Sequence, residues 1–148
     1  MNAPRTATDP AVKTSVAHSD QAIDQQPVRT GRTVIAPKVV ATVAGIATRE
    51  VPGVYATGDG ATRAVGALRE QVPGVKSAPS QGVAARVDDD RASVRIDLVA
   101  DYGTAIADLA ADVRRNVTSA VHAMTGLRCV PVDIVVHEVH LAPNSALA

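Results

Sequence analysis

The sequence predicts an α+β fold: a small mixed or antiparallel sheet with two main helices packed on one face. Three observations support this prediction. Two segments carry apolar residues at helical spacing, two short alternating segments pair as a hairpin, and another alternating segment follows the longer helix. A chain of 148 residues is long enough for one domain with a modest core.

The composition divides the chain into three predicted parts. Residues 1–30 include three prolines among polar residues and few large apolar ones, so they bury too little surface to offset their ordering entropy. We therefore expect a disordered N-terminal tail over 1–30, an α+β domain over 31–141 and a flexible C-terminal tail over 142–148.

The first predicted helix follows an extended lead-in from Gly31 to Ile35. Pro37 suits the first helical turn, where its missing N–H costs no hydrogen bond. The helix is expected to end at Val51-Pro52-Gly53, because a residue before proline avoids the α region. The apolar residues at helical spacing on its predicted inner face are Val39, Val40, Val43, Ile46 and Ala47.

A short strand from Val54 to Ala56 and a turn from Thr57 to Gly60 come next. A second, shorter helix is predicted from Ala61 to Gln71, with Val65 and Leu68 directed inward. It ends before a second Val-Pro-Gly turn.

The clearest pattern lies between residues 82 and 101, where two alternating segments flank Asp89-Asp90. Folding the chain back at this pair places residue 87 opposite 92, 85 opposite 94 and 83 opposite 96, and all six are apolar. On the other side of the strands, Arg86 lies opposite Ser93. Because one register sorts both faces, the sequence predicts an antiparallel hairpin.

A long helix and a closing strand complete the predicted domain. Thr104 is predicted as the N-cap of the helix and Gly126 as the residue that ends it. The inward residues of the helix are expected to be Ile106, Leu109, Ala110, Val113, Val117, Ala120, Val121 and Met124. The strand runs from about Cys129 to Leu141, and its core-facing residues are expected to be Val130, Val132, Ile134 and Val136.

Composition and charge limit the classes of function. The 15 basic and 15 acidic residues balance and the chain has no Phe or Trp, whereas nucleic-acid-binding domains are usually basic and use aromatic residues for stacking. We therefore expect no nucleic-acid partner, and the same neutrality disfavours electrostatic attachment to a bilayer. No signal-peptide pattern and no run of about 18 apolar residues occurs, so we expect a cytoplasmic protein without direct membrane insertion. A single cysteine fits a reducing interior, and the preference for Arg over Lys indicates a GC-rich bacterial genome.

The chemically reactive residues do not match a catalytic or metal-binding motif. Three successive carboxylates at 88–90 cannot easily converge on one ion, and aspartates are expected in a hairpin turn. His137 and His140 are three residues apart, so in a regular strand they point to opposite faces and cannot hold one zinc ion. Cys129 is interpreted as a buried structural thiol. We therefore expect no enzyme activity, no cofactor and no metal site.

The candidate functional residues lie instead on predicted surfaces. Val135 and Val139 form a second apolar row on the last strand, opposite its core-facing residues, and an unpaired edge with such a row favours self-association. Arg114 and Arg115 of the long helix have two interpretations: a site for phosphate or an acidic partner, or a solvated helix face beside acidic neighbours.

Several sequence segments follow one another in a characteristic order between residues 31 and 141. They include Glu50 to Val54, the hairpin that opens at Gly82-Val83, the turn Asp101-Tyr102-Gly103, the helix end Val121-His122-Ala123-Met124-Thr125-Gly126-Leu127 and the strand Val132 to Val136. In this order they resemble the alkaline shock protein family of envelope stress response proteins. Residues 58–80 are longer and richer in Gly and Pro than the compact core of that family, which leaves their path open.

The resemblance implies a non-catalytic scaffold or adaptor in the envelope stress response or in envelope homeostasis. Members of the family self-associate, and some are held at the membrane by a small anchoring protein, so both kinds of partner are expected, with membrane association through the partner. Two alternatives stay open. One is an RNA-associated KH-like module, although the sequence lacks the Gly-x-x-Gly loop of such modules, and the other is a small-molecule sensor domain.

Overall fold

The computed structural model describes residues 31–71, 73–74 and 78–143; the predicted N-terminal tail and residues 144–148 lie outside this part of the chain. Apart from residues 31–33, the described residues belong to one unit that begins at Val34. Its elements, in chain order, are helix α1 (Pro37–Arg49), strand β1 (Val54–Thr57), helix α2 (Gly60–Glu70), strands β2 (Val83–Asp88) and β3 (Arg91–Asp101), helix α3 (Ile106–Thr125) and strand β4 (Arg128–His140). This order confirms the predicted α+β fold.

The long strand β3 is the centre of a mixed sheet. β4 pairs with it in parallel over residues 91–101, while β2 pairs antiparallel with residues 91–96 and β1 pairs antiparallel with residues 98–100. A strand has only two edges, so β1 and β2 lie end to end along the edge that β4 does not occupy. The pairing of β2 with β3 follows the register predicted from the sequence, including Val83 with Ile96.

Asp97 of β3 marks the junction between the two short strands. Its N–H donates to the carbonyl of Gly82 (2.9 Å), and its carbonyl accepts from the N–H of Gly58 (2.6 Å). Gly82 has a φ of +77°, and a Cβ atom at this position would clash with the backbone nitrogen and Cα of Gly58. Both the backbone angle and the lack of space therefore require glycine at position 82.

Helices α1 and α3 pack on one face of the sheet and enclose the core with it. The buried stripe of α3 is Leu109, Val113, Val117 and Val121, which recur at helical spacing. α1 begins at Pro37 and buries mainly small side chains. The largest fully buried side chains include Ile96, Leu98, Val40, Val99, Val113 and Val117, so the core is filled by branched aliphatic residues, as the composition predicts.

The apolar face of α1 agrees with the predicted one at Val40, Val43 and Ala47, which are buried, but differs along one side. Val39 and Ile46, expected in the core, are 45% and 46% exposed, whereas Ala44 and Thr48 are fully buried. The Thr48 hydroxyl donates to the carbonyl of Ala44 at 2.7 Å, so a polar residue occupies the core without an unpaired donor. The hydrophobic pattern could not show this, because the buried arc is built from small and polar residues.

Helices α2 and α3 also differ from their predictions. Val65 and Leu68 of α2, expected to point inward, are 50% and 64% exposed. Thr104 is not the N-cap of α3, which begins after Ala105 without a side-chain capping bond. The two ends of the predicted buried stripe, Ile106 and Met124, are exposed. Gly126 does end this helix in the left-handed conformation, with a φ of +75°.

β4 contains two irregularities that change which residues face the core. Its register against β3 shifts near Cys129 and again near His137. The first shift brings Cys129 into the core instead of Val130, which is 65% exposed. Regular alternation therefore holds only over residues 132–136.

Candidate interaction site

The outer edge of β4 is the longest strand edge without a partner in the described part of the chain. β4 has 13 residues, and among the described strands it pairs only with β3. The opposite side of β3 is occupied by two shorter strands of 4 and 6 residues. Unpaired N–H and C=O groups along such an edge are a template for pairing with another strand.

Val135 and Val139 do not form the single apolar row that the sequence predicts. Val135 pairs with Asp97 on the face away from the helices and is partly buried. Val139 pairs with Ala100, a core residue, so it lies on the helix side, where it is 43% exposed. The bulge at His137 changes the side-chain alternation between them. The expected row is therefore wrong, and each valine belongs to a different surface.

The sheet face away from α1 and α3 carries paired polar side chains. His137 Nε2 lies 2.9 Å from Asp97 Oδ1, and Arg95 Nε lies 3.6 Å from the same oxygen. Arg63 of α2 donates to Glu138 Oε2 at 2.6 Å and thereby ties α2 to β4. Exposed ion pairs of this kind contribute little stability, but they leave these groups engaged with one another.

The bulge also changes the geometry of the two histidines in β4. Both His137 and His140 lie on the sheet face away from α1 and α3. His140 is on this face because the bulge at His137 adds one residue to β4, so that His140 pairs with Asp101. The His140 ring stacks on that of Tyr55, with centroids 3.6 Å apart and planes inclined by 11°. His137 is held by Asp97. Across residues 31–71, 73–74 and 78–143, no group of three or more potential metal ligands comes together.

Arg114 and Arg115 both contact other parts of the protein. Arg114 Nε donates to the carbonyl of Val132 at 3.1 Å and so links α3 to β4. Arg115 Nη1 lies 2.9 Å from Asp112 Oδ1, one turn earlier on an exposed helix face. These contacts fit the interpretation of a solvated helix face better than that of a preformed anion site.

The remaining reactive side chains lie in a turn and in the core. Asp89 and Asp90 form the two-residue turn between β2 and β3; Asp89 has a φ of 50°, and Asp90 Oδ2 lies 3.1 Å from Arg128 Nη2. Cys129 is 1% exposed, and burial raises the pKa of its thiol, which favours the protonated form. The interpretations as a turn and as a buried thiol are confirmed.

An apolar groove that the sequence analysis did not predict lies between α1 and α3, on the outer side of the helix layer. It has a volume of about 610 Å³, and its walls include Val39 and Ile46 of α1 and Ala120 and Met124 of α3. Met124 is 72% exposed. The sequence does show apolar residues at the edges of the buried stripes of α1 and α3. It does not show that these two edges lie next to each other in the fold.

The groove has a charged residue at each end of α1. Lys38 lies in the first turn of the helix and Glu50 directly follows its last residue, and both contribute to the groove wall. Glu50 Oε2 accepts a hydrogen bond from Asn116 Nδ2 at 3.3 Å. Lys38 forms no ion pair with any residue that the structure describes.

The fold and these surfaces define a class of protein: a small α+β domain whose described residues form a two-helix layer on a mixed sheet, with one long strand edge that no described strand covers. The sequence profile of the alkaline shock protein 23 family, described as having a cell envelope-related function, matches residues 25–141. The chain belongs to this family, and the resemblance seen in its sequence segments is confirmed.

Other comparisons add no function. No protein of curated function matches the sequence. Two solved structures are similar to the chain, a copper form and a nickel form of MamM CTD variants, with sequence identities of 13% and 14%. Each alignment covers 71% of this chain, and it covers 96% of the copper form and 98% of the nickel form. Both TM-scores are 0.38. None of the described helices combines the length and apolar character that a membrane span needs.

Proposed function

We propose that the protein is a non-catalytic scaffold or adaptor of the cell envelope that acts by self-association and by binding a membrane-anchored partner. The observation that carries this proposal is the outer edge of the 13-residue strand β4, which pairs with no other strand in the described part of the chain. The envelope-related family supports the setting. The protein would then be cytoplasmic and reach the membrane through its partner.

The β4 edge is suited to pairing because its middle is regular and weakly charged. Natural edge strands are usually protected by lysine, proline or bulges. β4 has both Pro131 and two bulges, but these lie on either side of residues 132–136, and within this stretch only Asp133 is charged. A net charge of zero also removes the general repulsion that would keep two copies apart.

The arrangement of reactive side chains supports a binding role. Asp97 and His137 are paired with each other, Glu138 is paired with Arg63, and Cys129 is buried as a thiol. These groups stabilise contacts between elements and do not converge on a common point in a pocket, as a general acid, base or nucleophile would need to do.

Sedimentation velocity tests self-association. The wild-type chain is expected to form species larger than 15.2 kDa as concentration rises, and Val135→Lys is expected to weaken them without changing the circular dichroism spectrum. Val139→Lys, on the other face of β4, is the matched control. A wild-type chain that stays at 15.2 kDa up to high micromolar concentration contradicts the proposal.

Membrane association is tested by flotation. The purified protein should float with membranes from its own cells and should lose this binding after those membranes are treated with protease. It should not float with protein-free anionic vesicles, because the chain carries no net charge to attract them. Equal binding to the protein-free vesicles would contradict a protein partner.

A further inference from the structure

The groove between α1 and α3 is self-complementary along α1. Its middle is apolar, with Val39 and Ile46 nearly half exposed, and its ends carry opposite charges at Lys38 and Glu50. The two charged residues are twelve positions apart, which corresponds to about 18 Å along the helix axis. The surface thus has a positive end, an apolar middle and a negative end. When a second copy lies on it in the opposite direction, each positive end meets a negative end and the apolar middles meet each other.

We infer that this groove is a two-fold interface in which α1 of one copy packs antiparallel against α1 of a second copy. The inference rests on the self-association in the proposed function and assigns a second surface to it. In this arrangement Lys38 of each copy faces Glu50 of the other, and Thr42 faces Ile46. A two-fold axis requires one patch to bind itself, and these pairs satisfy that condition.

The charges are placed unfavourably for an isolated helix. The N-terminus of a helix carries a partial positive charge and the C-terminus a partial negative charge, so a lysine in the first turn and a glutamate after the last are on the wrong ends. α1 has no acidic residue in its first turn, and the one basic residue of its last turn, Arg49, donates to Thr57 Oγ1. Antiparallel packing brings Glu50 of the second copy to the N-terminus of α1 and its Lys38 to the C-terminus, where both are favourable.

The same charges select the occupant and its direction. Parallel packing would place Lys38 against Lys38 and Glu50 against Glu50, which is repulsive. Lys38 has no competing ion pair among the described residues, and Glu50 has only the hydrogen bond from Asn116 there. Both charges are therefore available to a second copy, and Met124 and Ala120 of α3 provide the apolar wall beside them.

Charge reversal and complementation test the inference. All proteins carry Val135→Lys, so that pairing through β4 does not hide the result. Lys38→Glu and Glu50→Lys are each expected to weaken dimerisation at least about tenfold, since either change makes two attractive contacts repulsive. An equimolar mixture of the two variants should form dimers again, because every facing pair in the mixed dimer is attractive. Raising the salt concentration should reduce these differences.

Carbodiimide cross-linking locates the contact. A zero-length link between Lys38 and Glu50 cannot form within one chain, because the helix holds the residues about 18 Å apart. Peptide mass spectrometry should therefore find this link in the dimer band of the Val135→Lys protein and should not find it in the monomer band.

Five outcomes overturn the inference. Loss of all association in Val135→Lys alone assigns assembly to β4 and leaves the proposed function intact. Dimers that ignore both charge reversals, or a mixture that does not restore dimerisation, place the interface elsewhere. Loss of membrane flotation in Lys38→Glu without any change in dimerisation assigns the groove to the envelope partner. A wild-type chain that is always monomeric overturns self-association itself.

Discussion

Gly82→Ala is expected to destabilise the protein strongly, because Gly82 lies at the junction where β1 and β2 meet against β3. The residue has a φ of +77°, which costs a non-glycine residue about 1–2 kcal/mol. The added Cβ would also clash with the backbone of Gly58, so the two strand ends must separate.

Separation affects both hydrogen bonds of Asp97, the one to the Gly82 carbonyl and the one from the Gly58 N–H. Each is worth about 1 kcal/mol. With the backbone strain, the expected loss in the free energy of unfolding is about 3–4 kcal/mol, which lowers the Tm of a domain of this size by about 15 °C.

Gly126→Ala provides the matched control. Gly126 has nearly the same φ, +75°, but nothing lies within 4 Å of the position where its Cβ would be. It should lose only the strain of about 1–2 kcal/mol. Urea unfolding followed by circular dichroism measures both variants. If Gly82→Ala costs no more than Gly126→Ala, the close contact at the junction has no energetic importance and the reasoning is refuted.

Three further predictions concern the core and the tail. Ile96→Asp should abolish cooperative thermal unfolding because it places a carboxylate at a fully buried position. Asp97→Ser loses only part-exposed side-chain contacts and should lower the free energy of unfolding by about 1 kcal/mol or less. Equal tolerance of both changes would contradict the hairpin register. A chain beginning at Thr30 should melt within a few degrees of the full-length chain, and loss of its transition in calorimetry would show that the first residues stabilise the fold. Cys129 should react with a thiol reagent only in urea, and rapid labelling of the folded protein would contradict its burial.

The hairpin could be predicted from the sequence because two constraints act on it at once. A register that pairs Val83 with Ile96 also pairs Arg86 with Ser93, and a shift by one residue would invert both faces. The long helix could be recognised for a related reason, since its four-residue buried stripe is aliphatic throughout. In both cases burial and residue type agree.

The surfaces could not be predicted because burial and residue type disagree there. On α1, Thr48 is buried while Ile46 is exposed, so hydrophobicity points to the wrong arc. In β4, the apolar residues of the sequence continue the two-residue alternation past His137, but the bulge there interrupts it. Val135 and Val139 therefore lie on opposite faces of the sheet. The groove depends on Met124 lying beside α1, a contact between segments that are distant in sequence.

The meeting of Gly58 and Gly82 also determines where the fold can change in length. The chain leaves the sheet at Gly58 and returns to it at Gly82, and the backbone bonds that Asp97 makes to these two glycines hold both ends of the intervening segment together. Doubling the length of such a closed excursion costs only about 0.6 kcal/mol in chain entropy. An insertion between the contacts that anchor this segment, Arg63 with Glu138 and Ala78 with Arg49, is therefore expected to leave the pairing of β3 intact.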